Sequence, residues 1–279
     1  MNDIPAESAG KPAHLSTDGA FSYTCHRCRR CCSGKRIWVN PYEVYRLSRR
    51  LGMTTTNFIE QHTVNGGTEL AVRDDLTCVF LGEQGCGVHS DRPLVCRLYP
   101  LGRVVQSGEP DRYFLMEPHP QSEGVYGDAG SVAGYLEQQG AAPFMAAADA
   151  YFALLERVGG VLSEMDPPKP ERSAVENSAS EHSAAGLTAT SDGASEPGEP
   201  AAAPPNSPWL DIDAVLASEL GAMGAEALDV PRPLEAEEAM ALHIAALDRW
   251  HQEVSDTLTR SYEAPSDHDA SDHIPGATP

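Results

Sequence analysis

The chain has 279 residues, 41% of them hydrophobic, and 20 Lys+Arg against 41 Asp+Glu give it a formal charge of −21. That length allows one or two domains. No stretch of about 18 consecutive apolar residues occurs, and the first residues lack the basic start and apolar core of a secretory signal, so the expectation is a cytoplasmic protein with no membrane span.

The acidity is unevenly placed. Residues 21–160 carry 14 basic against 15 acidic side chains, whereas residues 161–279 carry 5 against 23, a balance of −18. The charge therefore belongs to the second half of the chain.

Residues 1–20, rich in Ala, Ser, Gly and Pro, read as a disordered lead, with folding expected from about Phe21. The stretch TCHRCRRCCSG follows, placing Cys25, Cys28, Cys31 and Cys32 within eight positions. The segment 25–50 is locally cationic, with eight basic side chains and one acid, Glu43. Its arginines Arg27, Arg29 and Arg30 lie between the cysteines, where cations and N–H donors would stabilise an anionic thiolate–metal centre. A nucleic-acid surface is the poorer reading of that charge, because no aromatic residues interleave with the arginines and the tail is acidic.

The next segment has a helix start written into it. Asn40 can cap, Pro41 suits the first helical position, and Glu43 sits three residues after the cap. Val44, Leu47 and Leu51 recur at helical spacing, and Gly52 ends the run. A second short helix is predicted from Thr54, with Phe58 and Ile59 inward.

Residues 68–106 break into short apolar or alternating runs separated by Gly and Asp, which predicts short strands and turns carrying Cys78, Cys86 and Cys96. The helical period returns from Ser131. Pro143 opens a helix whose apolar face is predicted as Met145, Ala148, Tyr151, Phe152, Leu155 and Val158, closing a domain over 21–160.

Residues 161–207 hold almost no aromatic or branched apolar side chains and read as a disordered linker. Residues 208–262 then carry two amphipathic helices. The first presents Ile212, Val215, Leu216, Leu220 and Met223, and the second Met240, Ile244, Leu247, His251, Val254 and Leu258. Docking onto the main domain or on each other is the default for such stripes, and binding of a protein partner is the alternative. Residues 263–279 read as a loose end.

Seven cysteines, an odd number confined to residues 25–96, are poorly explained as disulfides in a reducing compartment. Metal binding or redox chemistry explains them better. The C-x-x-C-x-x-C spacing lets a tight loop turn every third sulfur toward one centre, as in loops that hold [4Fe–4S] clusters. Zinc also accepts Cys-x-x-Cys, usually as two facing knuckles, but the later cysteines are spaced C-x7-C-x9-C and offer no second knuckle. Adjacent side chains diverge along a regular backbone, so Cys31 and Cys32 are expected to point at different metal atoms. Seven sulfurs also exceed the four that one zinc or one cluster needs. His26 and His89 lie beside cysteines without ligand spacing of their own.

The string Cys25-x-x-Cys28-x-x-Cys31-Cys32, the capped helix after it, and CVFLGEQGCGVHSDRPLVCRLYP together resemble the YkgJ-type cysteine-cluster family, a zinc- or iron-chelating domain. The resemblance covers about residues 21–116 and includes the Arg92-Pro93-x-x-Cys96-Arg97 element. It implies that Cys25, Cys28, Cys31, Cys32, Cys78, Cys86 and Cys96 serve one metal-binding region. Where some relatives carry a further Cys-Pro, this chain reads Pro118-His119-Pro120, so the resemblance also implies His119 as a nitrogen ligand. Flagellin lysine N-methylases look similar in this domain, which implies methyl transfer to a protein side chain as an alternative function. The expectation is thus an α+β fold: a small cysteine-rich domain of short strands and helices, then a linker and a C-terminal helical pair. Its cysteines would hold an iron–sulfur cluster or zinc, with Arg27, Arg29, Arg30 and Arg97 as supporting donors, and deletion of residues 161–279 would leave metal binding intact.

Overall fold

The computed structural model describes residues 14–26, 28–106, 108–164, 209–222 and 234–263. Most of the expected linker, the last residues of the chain and Arg27 lie outside the described residues, as does Met223. The architecture is α+β. Nine short strands occur among the described residues: β1 (His14–Leu15), β2 (Ala20–Thr24), β3 (Thr63–Val64), β4 (Glu69–Leu70), β5 (Leu81–Gly82), β6 (Gly85–Cys86), β7 (Leu101–Val104), β8 (Arg112–Leu115) and β9 (Val125–Ser131). The helices are α1 (Pro41–Leu51), α2 (Thr55–His62), α3 (Leu94–Leu98), α4 (Val132–Gln138), α5 (Ala142–Glu164), α6 (Ile212–Ala222) and α7 (Ala236–Glu263).

The strands form small antiparallel sheets rather than one large one: β1-β8-β7, β2-β9, β3-β4 and β5-β6. Folding starts before Phe21, since His14 and Leu15, expected in the lead, pair with Phe114 and Tyr113.

Helix α1 forms for the reasons its sequence states. Asn40 Oδ1 accepts the Glu43 amide at 3.0 Å and Glu43 Oε2 accepts the Asn40 amide at 2.9 Å, a reciprocal capping box. Pro41 occupies the first turn, and Gly52 ends the helix at φ 70°, which only glycine adopts without strain. Val44 and Leu47 are fully buried, while Leu51, placed on the same stripe by spacing, is exposed. Thr54 caps α2, which buries Phe58 and Ile59 as its pattern predicts.

Two cores result. One gathers Phe21, Tyr42, Leu101, Tyr113, Phe144 and Leu154 around α1, α4, α5 and the β7-β8 sheet. The other gathers Ile37, Val44, Leu47, Phe58, Leu70 and Val88 and has Cys78, Cys86 and Cys96 packed against it. In α5 the buried residues are Phe144, Ala147, Tyr151 and Leu154, and Phe152 and Leu155 are exposed. The predicted face is therefore rotated, because α7 packs on α5 and claims the side that periodicity alone left open.

The tail helices dock on the domain. Leu210 enters the second core, and Ile212 packs with Tyr45 and Ala239. Asp211, buried, accepts hydroxyls of Thr55 at 2.6 Å and Thr56 at 2.7 Å. Asp213 accepts the Thr55 amide at 2.8 Å and pairs with Arg49. Tyr42 donates to Glu237 at 2.7 Å, and the Tyr151 hydroxyl lies 3.0 Å from Nδ1 of buried His243. Along α7 the buried residues are Ala239, His243, Ala246 and Leu247. Of the predicted stripe, Leu247 is buried and Met240 and Ile244 pack against the first core, while Val254 is exposed, so the buried face is shifted toward Ala239, His243 and Ala246.

Candidate metal centre

Cys31 and Cys32 lie on a single 3-10 turn, Arg30–Cys32, entered through Arg29 in the left-handed region at φ 66°. The turn closes with Cys32 N–H to the Arg29 carbonyl at 3.1 Å and Ser33 N–H to the Arg30 carbonyl at 3.3 Å. Its two sulfurs stand 3.9 Å apart. This corrects the expectation that neighbouring thiols must diverge. That rule describes an extended strand, and on a tight turn two short side chains can swing to the same side.

A backbone splice brings the second half of the cysteines to this turn. The Cys78 amide donates to the Cys32 carbonyl at 2.9 Å, Gly34 N–H donates to the Leu76 carbonyl at 2.9 Å, and Ser33 pairs antiparallel with Thr77. The β5-β6 hairpin then returns Cys86 opposite Leu81. Cys96 lies on α3, a helix where the sequence pattern predicts strand and turn, because Pro93 starts a turn closed by its own carbonyl to the Cys96 amide at 3.0 Å.

The charges of several thiols act on one another. Cys31 is lowered to about 7, chiefly by its contact with Cys32; burial opposes this, and Lys35 and Arg92 assist it. Cys32 is raised by Cys31 and by burial, with the charges of Cys96 and Cys86 adding to it. The pair thus releases its first proton easily and holds its second. Burial raises Cys96, and Cys78, Cys86 and Cys31 raise it further; it keeps some solvent contact, but the chain packs densely around its sulfur. Burial also raises Cys78 and Cys86, opposed at Cys78 by the Phe80 amide and at Cys86 by the Val88 amide. An N–H two residues on that donates to a sulfur is the bond a metal-bound thiolate accepts.

Cys31, Cys32, Cys86 and Cys96 therefore lie within electrostatic reach of one another, and Cys78 within reach of Cys86 and Cys96. Cys25 is exposed and Cys28 half-buried, and Cys25 faces Tyr23 and Tyr135, which also feel Cys31. No disulfide links any of the seven cysteines. His119 is half-buried, and its Nδ1 accepts the Gln121 amide at 3.1 Å, leaving Nε2 as the ring nitrogen open to another partner. Among the described residues, no three His, Cys, Asp or Glu side chains stand close enough together to hold a metal ion as they are placed.

Tetrahedral zinc with Zn–S bonds of about 2.3 Å separates its sulfurs by about 3.8 Å. The Cys31–Cys32 spacing of 3.9 Å fits that edge. Thiolates are the donors a thiophilic metal takes, and this pair supplies one edge of such a site.

Of the expected supporting cations, Arg27 lies outside the described residues, and Arg97 and Arg29 bond to backbone carbonyls. Arg97 is buried and donates to the carbonyls of Arg92 at 3.0 Å, Gln139 at 2.7 Å and Ser90, with its guanidinium 3.8 Å from the Phe144 ring centre. Those carbonyls consume its donors, so it ties α3 to the end of α4 instead of facing sulfur. Arg29 donates to the Glu83 carbonyl at 3.3 Å, linking the first cysteine segment to the hairpin turn. The charges felt by the thiols are those of Lys35, Arg92 and Arg73. Four tyrosines also escaped sequence reasoning. Tyr23 lies 6.1 Å from Tyr99, 5.0 Å from Tyr126 and 6.4 Å from Tyr135, ring centre to ring centre. They come from separate elements, so no spacing could have revealed them. Tyr23 is pushed up to about 12 by burial first, then by Cys25.

A small α+β domain with a gathered set of thiols is the class this fold and site define. Residues 24–114 match the family model CxxCxxCC, described as "Putative zinc- or iron-chelating domain". The match carries no link to the flagellin lysine N-methylases. No curated protein and no solved structure matches the chain. No helix among the described residues is long and apolar enough to cross a membrane.

Proposed function

We propose that the protein holds a zinc or iron ion through four thiolates, with Cys31 and Cys32 on the same ion and two of Cys78, Cys86 and Cys96 supplying the remaining sulfurs. The 3.9 Å spacing of the adjacent sulfurs carries this reading. A four-iron cluster binds each cysteine on a separate iron, which sets its ligands farther apart than two sulfurs sharing one ion. The family match to residues 24–114 supports zinc or iron as the metal. Amide donors at Cys78 and Cys86, and cations at Lys35, Arg92 and Arg73, favour the thiolate form that a metal requires. Seven thiols without a disulfide fit the reducing cytoplasm.

The surplus of sulfurs favours a second reading. Cys25 and Cys28 bring the total to seven, enough for an iron–sulfur cluster or a second centre, with His119 Nε2 as a further donor.

Purification without oxygen, followed by metal analysis and an absorption spectrum, separates the two. A colourless protein with stoichiometric zinc, or one iron without sulfide, supports the first reading; a brown protein with iron and inorganic sulfide supports the second. Absence of any bound metal under those conditions sinks both.

A further inference from the structure

We propose that Cys31 and Cys32 form a chelating site for trivalent, singly substituted arsenicals, closing around one arsenic atom with only a small further approach of the two sulfurs. The inference rests on the reading of this pair as a bridge for one thiophilic centre and names a further ligand class for it. Two features of the turn carry it. Consecutive Cα atoms across a trans peptide are about 3.8 Å apart, below the range of about 4.4–6.8 Å that disulfides span, so a direct S–S bond between neighbours is strained. The sulfurs instead stand 3.9 Å apart, a separation that a single bridging atom spans. The backbone is also held: the turn's own amides close onto Arg29 and Arg30, and the Cys32 carbonyl accepts the Cys78 amide at 2.9 Å. A dithiol fixed at bridging distance loses little freedom on closing.

The reaction needs no redox partner. Phenylarsine oxide and two thiols give the cyclic phenylarsenic dithiolate and one water. Two As–S bonds form, the As–O bond breaks, and both thiol protons leave in the water. Arsenic stays trivalent throughout.

The test uses the full chain, stripped of metal and reduced. One equivalent of phenylarsine oxide is added, followed by an alkylating reagent and mapping by mass spectrometry. The expected result is one phenylarsenic group per chain, with Cys31 and Cys32 protected and the other five of the seven cysteines alkylated. Cys31→Ser and Cys32→Ser each leave a single thiol there and weaken retention at least about 100-fold, the loss of an intramolecular second bond. Protection of another pair, such as Cys25 with Cys28, or retention that survives both serine variants, overturns the proposal. A chain that captures arsenic at this pair yet binds neither zinc nor iron keeps the inference and loses the metal-binding reading; a chain that binds metal but leaves the pair open to alkylation does the reverse.

Discussion

At the scale of single residues, Glu43 connects the helix framework to the thiols. One carboxylate oxygen caps α1 at Asn40, and the other accepts the Leu94 amide at 2.6 Å, at the start of the helix that carries Cys96. Burial pushes its pKa up to about 7, against the opposing pull of those amides and of Arg97. The folded chain then keeps a proton that the unfolded chain has lost between about pH 4.5 and 7. Stability should therefore fall as pH rises through that window, by up to about 3 kcal/mol from this group, and reach a plateau above it. Glu43→Gln should remove that slope, whatever it does to absolute stability, and urea unfolding of both proteins at pH 5 and pH 8 checks it. An identical slope in both would contradict the assignment. Among the thiols, Cys96→Ala is expected to lower both metal content and thermal midpoint, because folding of a loop-rich unit is coupled to its metal. Cys28→Ala is the comparison that shows whether the first pair is needed as well. Metal analysis of the purified variants reads both.

At the scale of elements, short backbone pairings do what a large sheet does elsewhere. The two halves of the thiol set are joined by a few bonds between residues 32–34 and 76–78, not by a long ladder. Helix α1 gives the rigid side of that arrangement, and its cap is a local lever. Asn40→Ala should cost about 1 kcal/mol, read from the shift in denaturation midpoint. Gly67 is a tighter constraint. Its φ is +96°, and a Cβ there would lie 2.8 Å from Leu210 Cδ1 and 3.1 Å from Ile59 Cγ2. Gly67→Ala combines backbone strain with a clash against the tail, so it should destabilise by about 1–3 kcal/mol and loosen the α6 segment. Faster amide exchange at residues 210–216 is the matching observation, and unchanged exchange would mean the segment is held from elsewhere.

At the scale of the whole molecule, helices α6 and α7 of the acidic second half are part of the fold. Leu210 sits in the same core against which Cys78, Cys86 and Cys96 pack, and Asp211 and Asp213 satisfy the first turn of α2. Leu210→Ala should cost about 2–5 kcal/mol, a buried leucine leaving a cavity. Truncation after residue 164 removes all of these contacts and is expected to lower the thermal midpoint of the thiol domain, even though the tail contributes no cysteine. Calorimetry of the truncated and full chains tests this. Equal midpoints would show that the tail is a passenger on a self-sufficient domain.

Much of the local structure was legible in the residues alone. Caps, proline and glycine positions and the inward pair Phe58 and Ile59 all depend on neighbours within one or two turns, and that information lies in adjacent letters. The identity and number of the thiols, and the split between a neutral first part and an acidic second part, were equally plain. Contact between distant segments was not. Which thiols influence Cys31, the turning of Arg97 toward three carbonyls, and the meeting of four tyrosines depend on contacts between segments far apart in the chain, so no local pattern of letters records them. The misjudged faces of α5 and α7 have the same origin. Periodicity tells a helix how wide its apolar stripe is, and only the partner packed against it decides which edge of that stripe is buried.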